Sequence, residues 1–512
     1  MRNIVNIINF IRASDPRAPE RDMVYPVKRQ LELCKQYDFR ATFLLQYDAL
    51  LLDTYRDLLK DTPHEVGGWF EIVQPLCERA GIVWRGREGY SWDWHANVGM
   101  TVGYTQEERK KLIDVYMRTF SEFYGRYPSA VGCWIWDAYS LNYLKTKYSV
   151  KAACICREQY GTDGYTLWGG YYNGGYYPSK YNALAPARNG EEQIDLPVFR
   201  MLGIDPVAQY DDGLDLHDGR TEWQGVKTLE PYSERCGGNP VWVKWYFEEN
   251  FGKDNGTYAY AQMGQENSMG WENMKGLVFQ FEHLDRVKEQ NHLCIETLTE
   301  TGEWFSKTYR KTPHTVFFCK DDDIQSGKKS FWYNSSAYRV NFYGEGDSMW
   351  IRDLFLFRKE NTENYLTEPC KTENCFLYTL PVVDGNRWTG NGVRAGVYFY
   401  DRSDESPVRV TEVTYKQDGE TAFLYLNTPS FGVVELSLSE KEIRIRPARN
   451  FENLLLKFMR DKSRVDARIY QDREDEIKFA FGNVEYGIKL RGGSCIGCEK
   501  ILFEKDELTV LL

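Results

Sequence analysis

The chain has 512 residues, a net charge of −11 and no block of basic side chains, which argues against a nucleic-acid footprint. No apolar run reaches the length of a membrane span. A chain this long points to more than one domain.

The N-terminal stretch MRNIVNIINFIRASD has one early positive charge and three Asn, and it lacks a small-residue cleavage pattern. It reads as a first β-strand over residues 3–11 and not as an export signal, so a cytoplasmic location is expected. Residues 27–37 place Val27, Leu31 and Cys34 at helical spacing. RATFLLQ (40–46) reads as a second strand, with a helix after it in DALLLDTYRDLLKD. Residues 65–72 read as a third strand. The clearest helix lies in YTQEERKKLIDVYMRTFSEFYG. Thr105 and Glu108 form a capping box there, Leu112, Val115, Tyr116, Thr119 and Phe123 line one face, and Gly125 stops it. Residues 130–136 and 151–156 read as strands four and five. Residues 157–240 are rich in Gly, Tyr and Pro, and their aromatic segment 164–190 is too long for a plain connector. It is either a Tyr-packed excursion or a substrate-facing lid. PVWVKWYF (240–247) and TYAYAQM (257–263) read as further strands, a helix is expected over 271–289, and HTVFFCK (314–320) closes the alternation.

Strand–helix alternation with no Gly-rich dinucleotide fingerprint favours an α/β chain of the (β/α)7-barrel type over residues 1–325. After DDDIQSGKKS the pattern changes to short alternating strands such as SAYRVNFYG, GVYFYD and TAFLYLN. Residues 326–512 are therefore expected to form an antiparallel, sandwich-like all-β domain.

Twelve Cys in a chain of this length do not make a disulfide framework. Cys495 and Cys498 form a CxxC, but zinc needs two more ligands. Cys370 and Cys375, five apart, could contribute, and the six His are scattered singly. No metal and no cofactor is expected.

Barrels of this kind place their chemistry at the C-terminal ends of the strands. Asp15, Asp48, Glu71, Asp137, Glu158 and Glu266 each follow a candidate strand. Trp69, Trp134, Trp136 and Trp271 stand beside them. Acids after strands also cap the next helix, and Asp48 is read that way. Asp137 is readable as a cap or as a nucleophile. Paired carboxylates among indoles suit glycosidic cleavage: one acid, its pKa raised by burial, donates a proton, and an ionised partner attacks or activates water. Aromatic content of 15% fits sugar stacking.

These segments resemble the glycoside hydrolase/deacetylase barrel superfamily, nearest to the family 57 glycoside hydrolases. RATFLL resembles the second strand of the deacetylases and HEVGGWFEI a strand of the family 57 enzymes. GCWIWDAYSLNYLK resembles their nucleophile strand, and GQENSMGWENMKG loosely resembles the region of their acid. The resemblance implies a seven-stranded barrel with an appended β-domain. It departs in three places. No HxxxH exists, and Glu71 stands where metal-binding His would be. FIRASDPR replaces the HxHQP start. Gly264 stands where the catalytic Asp would fall.

The expected function is thus a glycoside hydrolase acting on an oligosaccharide, with Asp137 as nucleophile and Glu266 as general acid/base. Asp15, Glu71, Trp69, Trp134, Trp136 and Trp271 are expected to bind substrate. The alternatives are a non-catalytic carbohydrate-binding protein on the same barrel, or a divergent polysaccharide deacetylase, for which His95 with Asp15 is the nearest remnant of a metal site. The expected partner is a carbohydrate, with no nucleic acid and no membrane, and homo-oligomer formation stays open.

Overall fold

The computed structural model describes residues 2–208, 227–251 and 257–512. Parallel strands wall a barrel: β1 (Arg2–Ile11), β2 (Thr42–Leu45), β3 (Glu65–Trp69), β4 (Ala130–Gly132), β5 (Ala152–Ile155), β6 (Val198–Arg200) and β7 (Tyr258–Met263). Their spatial order is β7-β1-β2-β3-β4-β5-β6, with every neighbouring pair parallel. The Gly203 N–H crosses the remaining gap to the Gln262 carbonyl at 3.3 Å. The strands are nearly all buried because helices cover their outer face, as parallel sheets require. Among the described residues no helix is long and apolar enough to cross a membrane.

The first five strands lie where the sequence pattern puts them. The helix α1 (Tyr25–Tyr37) follows β1. The capping box of Thr105 and Glu108 starts α2 (Gln106–Tyr124), which Gly125 ends in the left-handed conformation at φ 67°. Its buried face runs through Leu112, Tyr116 and Phe120, while Phe123 is exposed under the Arg56 guanidinium. The next helix is α3 (Ala138–Tyr148).

Three expectations are corrected. The sixth strand is β6, inside the Gly/Tyr-rich region. PVWVKWYF is not a strand but the start of helix α4 (Pro240–Phe251). The Asn239 side chain accepts there from the N–H groups of Val241 and Trp242, and proline suits a first helical turn. Trp242, Val243, Tyr246 and Phe247 then turn inward at helical spacing. HTVFFCK does not close the barrel: Thr315–Cys319 pairs antiparallel with Lys329–Asn334 and opens the second sheet system.

That system has a 10-stranded and an 8-stranded antiparallel sheet. Their inner faces share one apolar core that includes Phe331, Phe342, Leu424, Leu436, Ile443 and Ile477. Alternation along Thr421–Thr428 is strict, one residue in and the next out, as a sandwich strand demands.

The aromatic segment 164–190 is the seam between barrel and sandwich, not a lid. Tyr171, Tyr172, Tyr176 and Tyr177 are buried, and Tyr172 stacks on Trp332 of the sandwich at 3.9 Å between ring centroids. Tyr165–Trp168 pairs in parallel with Cys375–Tyr378. The fully buried Glu158 ion-pairs with Arg339 of the sandwich, whose guanidinium also donates to the Gly170 carbonyl at 2.8 Å. Replacing Glu158 by Ala is expected to cost about 3–5 kcal/mol, because a buried guanidinium then loses its counter-charge. Urea denaturation of the whole chain measures this, and a loss below about 1 kcal/mol would show that the pair does not hold the seam.

Candidate active site

Short turns after the barrel strands bring a compact charged cluster together. Arg12 follows β1 directly, Glu71 comes two residues after β3, and Glu266 three residues after β7. Arg12 donates through Nε to Glu71 Oε2 at 2.8 Å and through Nη2 to Glu71 Oε1 at 2.6 Å. Its remaining Nη1 lies 2.9 Å from Glu266 Oε1 and donates to Ser268 Oγ at 2.7 Å. Ser268 Oγ in turn donates to Glu266 Oε1 at 2.8 Å. Gln46, after β2, and Trp134, after β4, each donate to Glu71 at 2.7 Å. Five strand ends thus meet on one guanidinium and two carboxylates.

The turn after β7 is built for this. Gly264 has φ 110°, and a Cβ there would lie 2.0 Å from the Ile8 carbonyl oxygen, so only glycine fits. Asn267 then clamps the end of β1: its Oδ1 accepts from the Arg12 N–H at 2.9 Å, and its Nδ2 donates to the Arg12 and Met23 carbonyls. Glu266 is left 7% exposed at the rim.

The electrostatics separate the acids. Burial pushes the Glu266 carboxyl above the ordinary range; Arg12 opposes this and the Glu71 charge adds to it. Burial also raises Asp48, to about 7, against hydrogen bonds from the N–H groups of Ala49 and Ala13 and with a further push from Glu71. Asp48 is not the helix cap expected for it: it is the second residue of the short helix Tyr47–Leu51. Asp15 goes the other way. Burial works to raise it, but Arg17, bound to both of its oxygens at 2.9 and 2.8 Å, holds it below the ordinary range.

Indoles line the same mouth. Arg12 lies over the Trp92 ring at 4.1 Å, and Arg17 lies 5.0 Å from both Trp92 and Trp94. A second ion pair joins Arg157, after β5, to Glu230 at 2.6 Å. Glu230 and then burial push the Tyr232 hydroxyl above its ordinary range, with Glu266 adding.

The expected site residues divide. Asp15, Glu71, Glu266 and Trp134 belong to the mouth, and Trp271 stands half-buried under Arg29 in the wall of a neighbouring cavity. Trp69 and Trp136 do not belong to it. Trp69 stacks on Phe10 at 4.2 Å inside the barrel, and the Trp136 indole donates to the Cys154 carbonyl at 3.0 Å; both are fully buried core. Asp137 and Glu266 are not a pair either. Asp137 is 0% exposed and caps α3. Its oxygens accept from Arg109 at 2.9 Å, Thr101 at 2.6 Å, and the Ser140 N–H and Oγ at 2.8 and 2.7 Å. A carboxylate so enclosed has no face for a substrate. Glu158 is likewise turned to the seam. His95 lies 2.9 Å from Asp93 and not against Asp15. Among the described residues no group of three His, Cys, Asp or Glu side chains is placed to hold a metal ion.

Arg12, Arg17, Arg157, Trp92, Trp94 and Ser268 went unread in the sequence. Arg12 and Arg157 carry the same signal as the acids: in FIRASD and CICREQY each sits just past an apolar strand.

A solved structure of a proposed glycoside hydrolase/deacetylase from Parabacteroides distasonis is similar over 74% of this chain and 90% of its own, at 14% identity and a TM-score of 0.55. The chain has the fold of the glycoside hydrolase/deacetylase barrels. A family model described as a domain of unknown function with a solved structure (DUF3863) matches residues 92–321. An allantoinase (12% identity, 60% of this chain and 91% of that one, TM-score 0.37) and a 4-α-glucanotransferase from Thermococcus litoralis (9%, 100% and 97%, TM-score 0.32) are more distant. The sequence matches no curated protein.

Since Asp137 balances the buried Arg109 and caps α3, Asp137→Asn is expected to lose about 3–5 kcal/mol of stability. Thermal unfolding beside Glu266→Gln tests this: the second variant should stay within about 1 kcal/mol of the parent, since the buried Arg12 keeps Glu71 as its counter-charge and the amide oxygen still accepts from Ser268. Equal losses in both would remove the distinction between the two acids.

Proposed function

We propose that this protein is a glycoside hydrolase acting on an oligosaccharide, with Glu266 as proton donor. The observation that carries the reading is the juxtaposition, at one barrel mouth, of a buried carboxyl pushed toward its protonated form and a carboxylate locked by a guanidinium, both beside indoles. Glycosidic cleavage needs an acid to protonate the leaving oxygen and a carboxylate to face the positive charge that develops on the sugar. Glu266 meets the first need, since burial favours its neutral form while its rim position keeps it within reach of a ligand. Glu71, gripped at both oxygens by Arg12, supplies fixed negative charge without reorganisation. Asp48, half-buried and titrating near neutrality, is the second acid/base group. Trp94 and Trp134, both half-buried, offer the aromatic surface on which sugar C–H faces rest. Asp137, expected as the nucleophile, has no part in this mechanism. The fold shared with the Parabacteroides protein is consistent with the reading and does not by itself select it.

Carbohydrate binding without turnover is favoured by one observation. Glu71 accepts four side-chain hydrogen bonds, so its lone pairs are already engaged.

The test is hydrolysis of a panel of α- and β-aryl glycosides. Glu266→Gln is expected to lower kcat by about 10²–10⁴-fold. The donor works protonated, so the parent rate should fall as pH rises through the raised Glu266 pKa, and Gln at 266 should abolish that limb. Asp48→Asn should remove a titration near 7. A parent protein that binds oligosaccharides and turns over none of the glycosides would select the binding reading.

A further inference from the structure

Beside the acid cluster lies a cavity of about 450 Å³ whose walls come from the loop after β1 and the turn after β7. These are the two segments that carry Arg12 and Glu266. The link is direct: the Arg21 guanidinium, in the cavity wall, donates to the Ser268 carbonyl, and Ser268 Oγ holds Glu266. A ligand unit in the cavity would therefore sit one place along from a unit at the acids.

The walls specify its chemistry. Tyr25 is 48% exposed and Trp271 is half-buried, so both keep ring surface for a ligand. Arg29 lies over the Trp271 ring at 5.3 Å and steadies the indole. Three carboxylates, Glu20, Asp22 and Glu272, line the cavity against one guanidinium. Asp22 is committed to the start of α1, accepting from the N–H groups of Val24 and Tyr25 at 2.9 and 3.0 Å. Glu20 and Glu272 make no hydrogen bond or ion pair with the described residues. They are acceptors only, which suits hydroxyl donors and opposes an anion.

We infer that this cavity is an outer subsite for an uncharged hexosyl unit of an oligosaccharide, a reading that takes from the proposed hydrolase function only the placement of the neighbouring unit at Glu266. The Trp271 and Tyr25 rings carry its C–H faces, and Glu20 and Glu272 accept from its hydroxyls. An acidic sugar is disfavoured by the unbalanced carboxylates.

The test is titration of the full chain, as Glu266→Gln to prevent turnover, with maltotetraose, cellotetraose and mannotetraose, and with tetragalacturonate as the anionic comparison. At least one neutral tetraose is expected to bind. Its Kd should rise about 10-fold in Trp271→Ala and recover largely in Trp271→Phe, while the circular dichroism of all variants stays that of the parent. In the protein with Glu266 intact, Trp271→Ala should lower kcat/KM for that tetraose about 10-fold more than for an aryl monoglycoside. No binding of any neutral tetraose, binding that ignores Trp271, or a preference for tetragalacturonate would overturn the inference. Trp271-dependent binding without hydrolysis would overturn the hydrolase reading and leave the subsite standing. Glu266-dependent hydrolysis with binding indifferent to Trp271 would do the reverse.

Discussion

One guanidinium organises the mouth of this barrel. Arg12 sits at the point where β1 ends, and its donors divide between a carboxylate from β3 and one from β7. Burying a charge is unfavourable unless it is paired and hydrogen-bonded. Arg12 is buried under Trp92, so the two acids must stay close to it and the turns that carry them must hold their shape. The glycine at 264 and the clamp at Asn267 follow from that requirement. So does the difference between Glu71, held at both oxygens, and Glu266, held at one and left at the rim. A single constraint thus yields two carboxyls of unlike character, which is the arrangement acid–base chemistry uses.

The same physics explains why the other strand-end acids went elsewhere. Asp137 meets a buried arginine on α2 and the open N-terminus of α3, and that environment accommodates a permanent carboxylate fully. Glu158 meets Arg339 from the sandwich. Each is an ion pair in a dry setting with its lone pairs filled, so each serves the fold. Position at a strand end puts an acid near the mouth, and the nearest cation decides which way it faces.

Much of the architecture was legible because it rests on local pattern. Apolar runs marked β1 to β5, a capping box and a glycine marked α2, and strict alternation marked the sandwich. What failed rests on tertiary context. PVWVKWYF is a strand by composition, but Asn239 and Pro240 make it a helix start and its aromatics turn inward at helical spacing. The short β6 is hidden in a Gly/Tyr-rich stretch whose purpose is to pack against the sandwich. In the site, Glu71, Glu266, Asp15 and Trp134 were readable from strand ends. Arg12 and Arg157 carry the same strand-end signal as the acids. Trp69 and Trp136 look the same in sequence as Trp134; packing on Phe10 holds the first in the core, and a hydrogen bond to the Cys154 carbonyl holds the second there.

The strand pairing at the seam bears on the order in which the chain can mature. Tyr165–Trp168 belongs to the barrel half by position, yet its parallel partner is Cys375–Tyr378. Arg109, on a barrel helix, donates to the Tyr365 carbonyl at 2.7 Å. Chain emerging early in synthesis therefore waits for chain emerging late. Until the downstream strand arrives, Tyr165–Trp168 presents an unpaired edge of the kind that chaperones shield and that drives association between nascent chains. The two halves are coupled as one folding unit in time as well as in space.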